Sequence, residues 1–162
     1  MFRRLIATTT TAALLAQLAC APAGYQKTET EPPADPVTTL AMVTQTWQQS
    51  SGNALPAVED LVKQADAQIS INNWDVASEK LERALRIAPD YAPAWSRLSH
   101  IALAKDDPAR AIQMAKRSNS YAGNSVDLKL LNWEFIREAS VMLDDNEGVQ
   151  NAVKAINILQ SL

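Results

Sequence analysis

The sequence predicts an all-α protein: about three helical hairpins stacked side by side in a right-handed superhelix, behind a leader and a disordered tether. Three observations predict it. First, the chain superposes on itself at an offset of 34 residues, so that Leu61 falls on Trp95, Ala65 on Ser99, Ile69 on Leu103, Ala77 on Ala111, Leu81 on Ala115, Ala84 on Ser118 and Pro89 on Gly123. A helical hairpin of that length cannot bury its apolar face alone, so it stacks on its neighbours. Second, a third copy follows, displaced by about two helical turns. Third, residues 1–19 read as a secretory leader, and the only cysteine, Cys20, comes directly after it.

Length and charge narrow the field. With 162 residues and 47% hydrophobic content, the chain has room for one ordinary globular domain and a non-globular segment. Without Arg3 and Arg4 of the leader, the 15 basic residues fall to 13 against 18 acidic ones, so the remainder is near −5. A nucleic-acid role is disfavoured by that balance and by the lack of a basic patch. No apolar run is long enough to persist as a spanning helix after processing.

The leader has a positive start at Arg3 and Arg4 and a mostly apolar stretch from Leu5 to Leu18, diluted by Thr8 to Thr11. One cysteine permits no intramolecular disulfide. A lone cysteine after such a leader resembles the lipid-acceptor of a bacterial lipoprotein. Gln17-Leu18-Ala19-Cys20 has Gln where the lipobox usually has Leu, and ordinary cleavage after Ala21 or Ala23 is the alternative. With Ala21 rather than aspartate after Cys20, bacterial sorting rules imply the outer membrane, with the protein facing the periplasm.

Ala21 to Pro36 is rich in Pro, Thr and Glu, the composition of a tether. Residues 20–56 therefore read as a lipidated cysteine and flexible linker. Within it, Leu40, Val43 and Trp47 form a short amphipathic pattern, so residues 37–49 read as a possible helix. It either packs back on the first repeat, stays mobile or serves as a partner-binding segment. The spacer from Cys20 to Pro56 is 36 residues. It spans roughly 30–36 Å as a coil and about 120–130 Å pulled taut.

Residues 57–162 form the repeat domain, with repeats at about 58–91, 92–125 and 126–162. The first helix runs from about Val58 to Ser70, and Asn72-Asn73 makes the turn. The return helix buries Ala77, Leu81, Ala84, Leu85 and Ala88 and ends before Pro89. Pro93 suits the first turn of the next helix, Asp107-Pro108 starts the fourth, and Gly123-Asn124 ends it. In the third copy, Ala152 stands in the place of Ala77 and Ala111 but seven residues late. Seven residues are close to two turns at about 3.6 each, so the insertion keeps the buried face. Val126 to Leu143 thus reads as one long helix, started by Ser125 with Asp127 in its first turn. Asp144 to Gly148 turns, and Val149, Ala152, Val153, Ile156 and Leu159 make the last buried stripe. Ile158 and Leu162 are left uncovered.

The period and the residue pattern together resemble the tetratricopeptide (TPR) unit. Ala65, Ala77, Leu81, Ala84 and Pro89 match its positions in the first repeat. Trp95, Leu98, Ser99, Ala102 and Ala111 match in the second, and Trp133 and Ala152 in the third. Ser118 replaces a small alanine and Gly123 a proline; Ser is small too, and Gly also stops a helix. Trp74, Trp95 and Trp133 read as packing aromatics. First-helix residues line the concave groove of such arrays. The resemblance therefore implies partner-binding positions at Lys63, Asp66, Arg97, His100, Glu134, Arg137 and Glu138. Val62 and Asp66 occupy two places of the TPR clamp that grips a C-terminal carboxylate, which disfavours a chaperone-tail receptor.

No motif carries catalysis. His100 is the only histidine, so neither a His/Cys metal site nor a His-assisted nucleophile is assembled. The four glycines are scattered at breaks and form no phosphate-binding loop. No metal or cofactor is expected.

Leu81-Glu82-Arg83-Ala84-Leu85-Arg86-Ile87, Trp95-Ser96-Arg97-Leu98, Arg117-Ser118-Asn119 and Asn132-Trp133 resemble the small TPR lipoproteins of gammaproteobacteria, the LpoP type. The first string is common to many TPR proteins. Arg-Ser-Asn and Asn-Trp, with the lengthened third hairpin, are more specific. The similarity spans roughly Leu61 to Ala139. Members are regarded as outer-membrane activators of a class A penicillin-binding protein. The resemblance implies a non-catalytic periplasmic adaptor that stimulates this peptidoglycan synthase in cell-wall growth. A TPR lipoprotein scaffold for pilus or secretion-system assembly is the alternative.

Overall fold

The computed structural model describes residues 36–50 and 54–162; the expected leader, Cys20 and most of the tether lie outside the described residues. Among the described residues seven helices follow in order: α1 (Pro36–Gln49), α2 (Pro56–Ile69), α3 (Trp74–Ile87), α4 (Ala92–Ala104), α5 (Pro108–Tyr121), α6 (Val126–Met142) and α7 (Asn146–Gln160). No strand occurs among the described residues. Helices α2–α7 pair as three hairpins, α2 with α3, α4 with α5 and α6 with α7, and each hairpin packs on the next. This is a TPR-like all-α fold.

The helix starts follow from local chemistry. Pro56, Pro93 and Pro108 sit in first turns, where a missing N–H costs nothing. Asp107 and Asp145 cap α5 and α7 by accepting from the backbone N–H of Arg110 (3.1 Å) and Gly148 (2.9 Å). A Cβ at Gly148 would run into the Asp145 carboxylate, so the second cap depends on a glycine. Ser125 occupies the cap position of α6 as expected, but its hydroxyl makes no cap bond. It lies 3.2 Å from the Ser50 hydroxyl instead.

One turn recurs in all three hairpins. Asn72, Asp106 and Asp144 adopt φ of 58°, 59° and 54°, the left-handed conformation that Asn and Asp tolerate best after Gly. The next residue's N–H closes back on the helix each time: Asn73 to Gln68 O, Asp107 to Ala102 O and Asp145 to Ser140 O, all 2.9 Å. The turns thus repeat in geometry even where the third is shifted in sequence.

That shift is shared between two helices, which corrects the expectation that α6 absorbs it whole. Helix α6 has 17 residues against 13 for α4, so it takes four of the seven extra residues. The other three lengthen the start of α7, where Ala152 lies seven residues after the Asp145 cap and Ala111 four after Asp107. Four and three residues are each about one turn, so both helices keep their buried faces.

Close helix contact is made by small side chains. Ala65, Ala77, Ala84, Ala94, Ala111, Ala115, Ala139 and Ala152 are fully buried, and Leu81 and Leu98 fill the space beside them. Serines share this role by satisfying their own hydroxyls. Ser99 donates to Ala111 O at 2.8 Å and Ser118 to Ala92 O at 2.9 Å. Ser118 thus serves as the small residue and also ties α5 to the start of α4. Val153 departs from the expected stripe: it is 40% exposed. Ile158 and Leu162 are exposed, as expected.

The Arg-Ser-Asn and Asn-Trp strings meet in space. Asn132, fully buried on α6, donates to Ser118 Oγ at 2.8 Å and Asn119 Oδ1 at 2.9 Å on α5. Arg117 stacks 4.6 Å from the Trp95 ring centroid, and Trp95 Nε1 donates to Pro89 O at 2.8 Å. Asn132 locks the third hairpin to the second, while Arg117 and Trp95 brace the second hairpin and its link to α3. Asn132→Ala removes two bonds and strands the Asn119 acceptor. It should lower unfolding free energy by about 1–3 kcal/mol, read as a shifted urea midpoint at constant slope.

Candidate functional site: a concave face filled by the chain's own helix

The inner face of the array is built by α4 and α6, and α1 lies against both. The helix expected at 37–49 is present and packs back, on the second and third hairpins rather than the first. The physical reason is the anchor. Trp47 is fully buried, and its Nε1 donates to Ser96 Oγ on α4 at 2.9 Å. Val43, one turn earlier on α1, is 6% exposed. An indole removes about 150–250 Å² from water, on the order of 4–6 kcal/mol of hydrophobic drive.

Three groups receive that indole. The Arg97 guanidinium lies 4.8 Å from the Trp47 ring centroid. It is 1% exposed and held in a bidentate pair with Asp66 of α2, Nε to Oδ1 at 2.7 Å and Nη2 to Oδ2 at 2.9 Å. Nη1 donates to Pro93 O at 3.0 Å. His100 meets Trp47 edge-on at 5.6 Å, Trp74 at 6.0 Å and Phe135 at 5.8 Å. Burial pushes the His100 imidazole below its usual range, because the charged form loses its water.

The seven groove positions therefore divide. Arg97 and His100 both meet Trp47 of α1, and Asp66 reaches Arg97 from α2. Lys63 is exposed on α2. Glu134, Arg137 and Glu138 stay accessible along α6, with Arg137 Nε donating to Glu134 Oε2 at 2.8 Å. Sequence reasoning missed Ser96, the acceptor for Trp47. The available signal was Trp47 itself, an aromatic closing an uncharged amphipathic turn a few residues before the array. The stretch from Cys20 to Pro56, expected to be flexible linker, includes α1 (Pro36–Gln49), so its second half is helical rather than coil.

Among the described residues, no group of His, Cys, Asp and Glu side chains is placed to hold a metal ion. No described helix is long and apolar enough to cross a membrane.

Three hairpins with one repeated turn and small residues at the crossings define a protein of the tetratricopeptide class. Among solved structures, the chain is similar to the globular C-terminal domain of P. aeruginosa LpoP, with a TM-score of 0.59 and 32% identity. The match covers 65% of this chain and 97% of that domain. The chain belongs to the LpoP family. No protein-family profile and no curated protein matches it.

Two outcomes follow from this geometry. Trp47→Ala should cost α1 docking about 3–5 kcal/mol. Limited proteolysis with mass spectrometry should then show cuts between Pro36 and Leu55 that the wild type lacks, while α2–α7 stay protected. The second concerns acid. The folded chain holds His100 neutral below the ordinary imidazole range of about 6.5, where the unfolded chain binds the proton. Its stability contribution is complete above that value and declines as pH falls through it toward the lowered folded value. His100→Gln should flatten the dependence of the urea midpoint between about pH 7.5 and about pH 5.5.

Proposed function

We propose that this protein is a non-catalytic periplasmic adaptor that binds and stimulates a peptidoglycan synthase, a class A penicillin-binding protein. The observation that carries the reading is family membership: the chain spans nearly all of the LpoP globular domain at 32% identity. The architecture agrees with it. The described residues offer packed helices and open clefts; on the inner face Ser96 accepts from Trp47 of α1, and Arg97 pairs with Asp66 of α2.

In this reading Cys20 carries the lipid, and the outer membrane holds that end. The helical array docks on the periplasmic part of the synthase. Docking shifts the synthase toward its active state only if the adaptor binds that state better. Tenfold stimulation needs about 1.4 kcal/mol of such preference, well within one modest interface.

The test is glycan polymerisation by a purified class A synthase, with and without residues 21–162. The expected result is a rate increase of about tenfold that saturates with adaptor concentration. An unchanged rate across the titration overturns the reading.

A further inference from the structure

Filling the inner face with α1 creates a new cleft beside it. The cleft runs between α1 and α6 and has a volume of about 610 Å³. Leu130, Leu131 and Phe135 of α6 form its apolar floor, and Met42 of α1, 64% exposed, stands on its wall. Asp127 and Glu138 stand on its rim. Neither has an ion-pair partner among the described residues, whereas the rim's guanidinium, Arg137, is taken by Glu134. The cleft is therefore apolar inside and carries two uncompensated carboxylates along one helix.

We propose that this α1/α6 cleft docks a helical segment of the protein partner that presents apolar side chains between flanking lysines or arginines. The volume lies within the range of ligand clefts, but the site is open and bounded along two helices, which suits a length of chain. The apolar floor supplies affinity by burial. The exposed carboxylates set orientation and encounter rate; one rim charge contributes little to affinity, whereas reversing both at once replaces attraction by repulsion. Helix α1 is one wall, so the cleft exists only while Trp47 is seated. The identity of the partner as a class A synthase rests on the function proposed above; the chemistry of the cleft does not.

The experiment uses the full chain in neutral detergent and two labelled probes. One is an alanine–leucine helical peptide flanked by lysines, and the other is its glutamate-flanked twin; binding to empty micelles is subtracted. The lysine peptide should bind the wild type at least about tenfold more tightly than the twin does. Leu130→Glu and the double variant Asp127→Lys with Glu138→Lys should each weaken it at least about tenfold, and Arg86→Glu on α3 should leave it unchanged. The double variant alters only exposed side chains, so it reports even if Leu130→Glu disturbs folding. The cleft is overturned if the lysine peptide does not bind, if the twin binds the wild type equally well, or if the double variant binds the lysine peptide as the wild type does. The same variants are then scored against a class A synthase. Wild-type binding with loss in the cleft variants supports both readings. Retained synthase binding by the double variant overturns the cleft as the docking site and leaves the adaptor role standing. Absence of wild-type binding, with the peptide results as expected, overturns the synthase as partner and supports the cleft.

Discussion

The Arg97 guanidinium ties three helices together. It pairs with Asp66 on α2, bonds the first turn of its own α4 through Pro93 O and lies over Trp47 of α1. A buried cation is tolerated only where its donors are satisfied, and here three donor atoms have acceptors. Losing Asp66 would strand a charge in the core, and losing Trp47 would uncover it. The first hairpin, the second hairpin and the helix outside the repeats thus share one joint. The planar fork of arginine suits this place, because it holds a carboxylate edge-on and presents its face to an indole at once.

That joint changes what the inner face of the array is for. In a bare stack of hairpins the first helices of the repeats leave a groove open to a partner. Here the chain's own α1 lies in it, and the buried Ser96 and Arg97 receive its Trp47. Exposed chemistry moves outward, to the carboxylates of α6 and the apolar strip beside α1.

The hairpins were legible from sequence for a simple reason. Helix crossings need small side chains, turns need residues that tolerate left-handed backbone, and both needs recur every 34 residues from Leu61 to Gly123. Ala77, Ala84 and Ala111 reveal crossings, Asn72-Asn73 reveals a turn and Asp107-Pro108 reveals a helix start. The division of the third repeat's insertion was not legible. Placing seven residues in one helix or sharing them between two preserves the same apolar face, so periodicity cannot tell these apart. Val153 was misplaced because its burial depends on a neighbour that no local pattern specifies. The roles of Arg97 and His100 were hidden likewise: a polar residue on a first helix looks the same whether it meets a partner or a distant part of its own chain.

What the sequence by itself determined is the repeat, its helices and its turns, because these arise from spacings within a few dozen residues. Only the tertiary structure decided that Trp47 enters the inner face, that Asp66 and Arg97 join beneath it, and that Asn132 locks onto Ser118 and Asn119. Those contacts link residues on separate helices, from 13 to 49 positions apart. Their partners are chosen by which surfaces remain unburied once the hairpins have stacked, a property of the assembled array that no stretch of the chain carries alone.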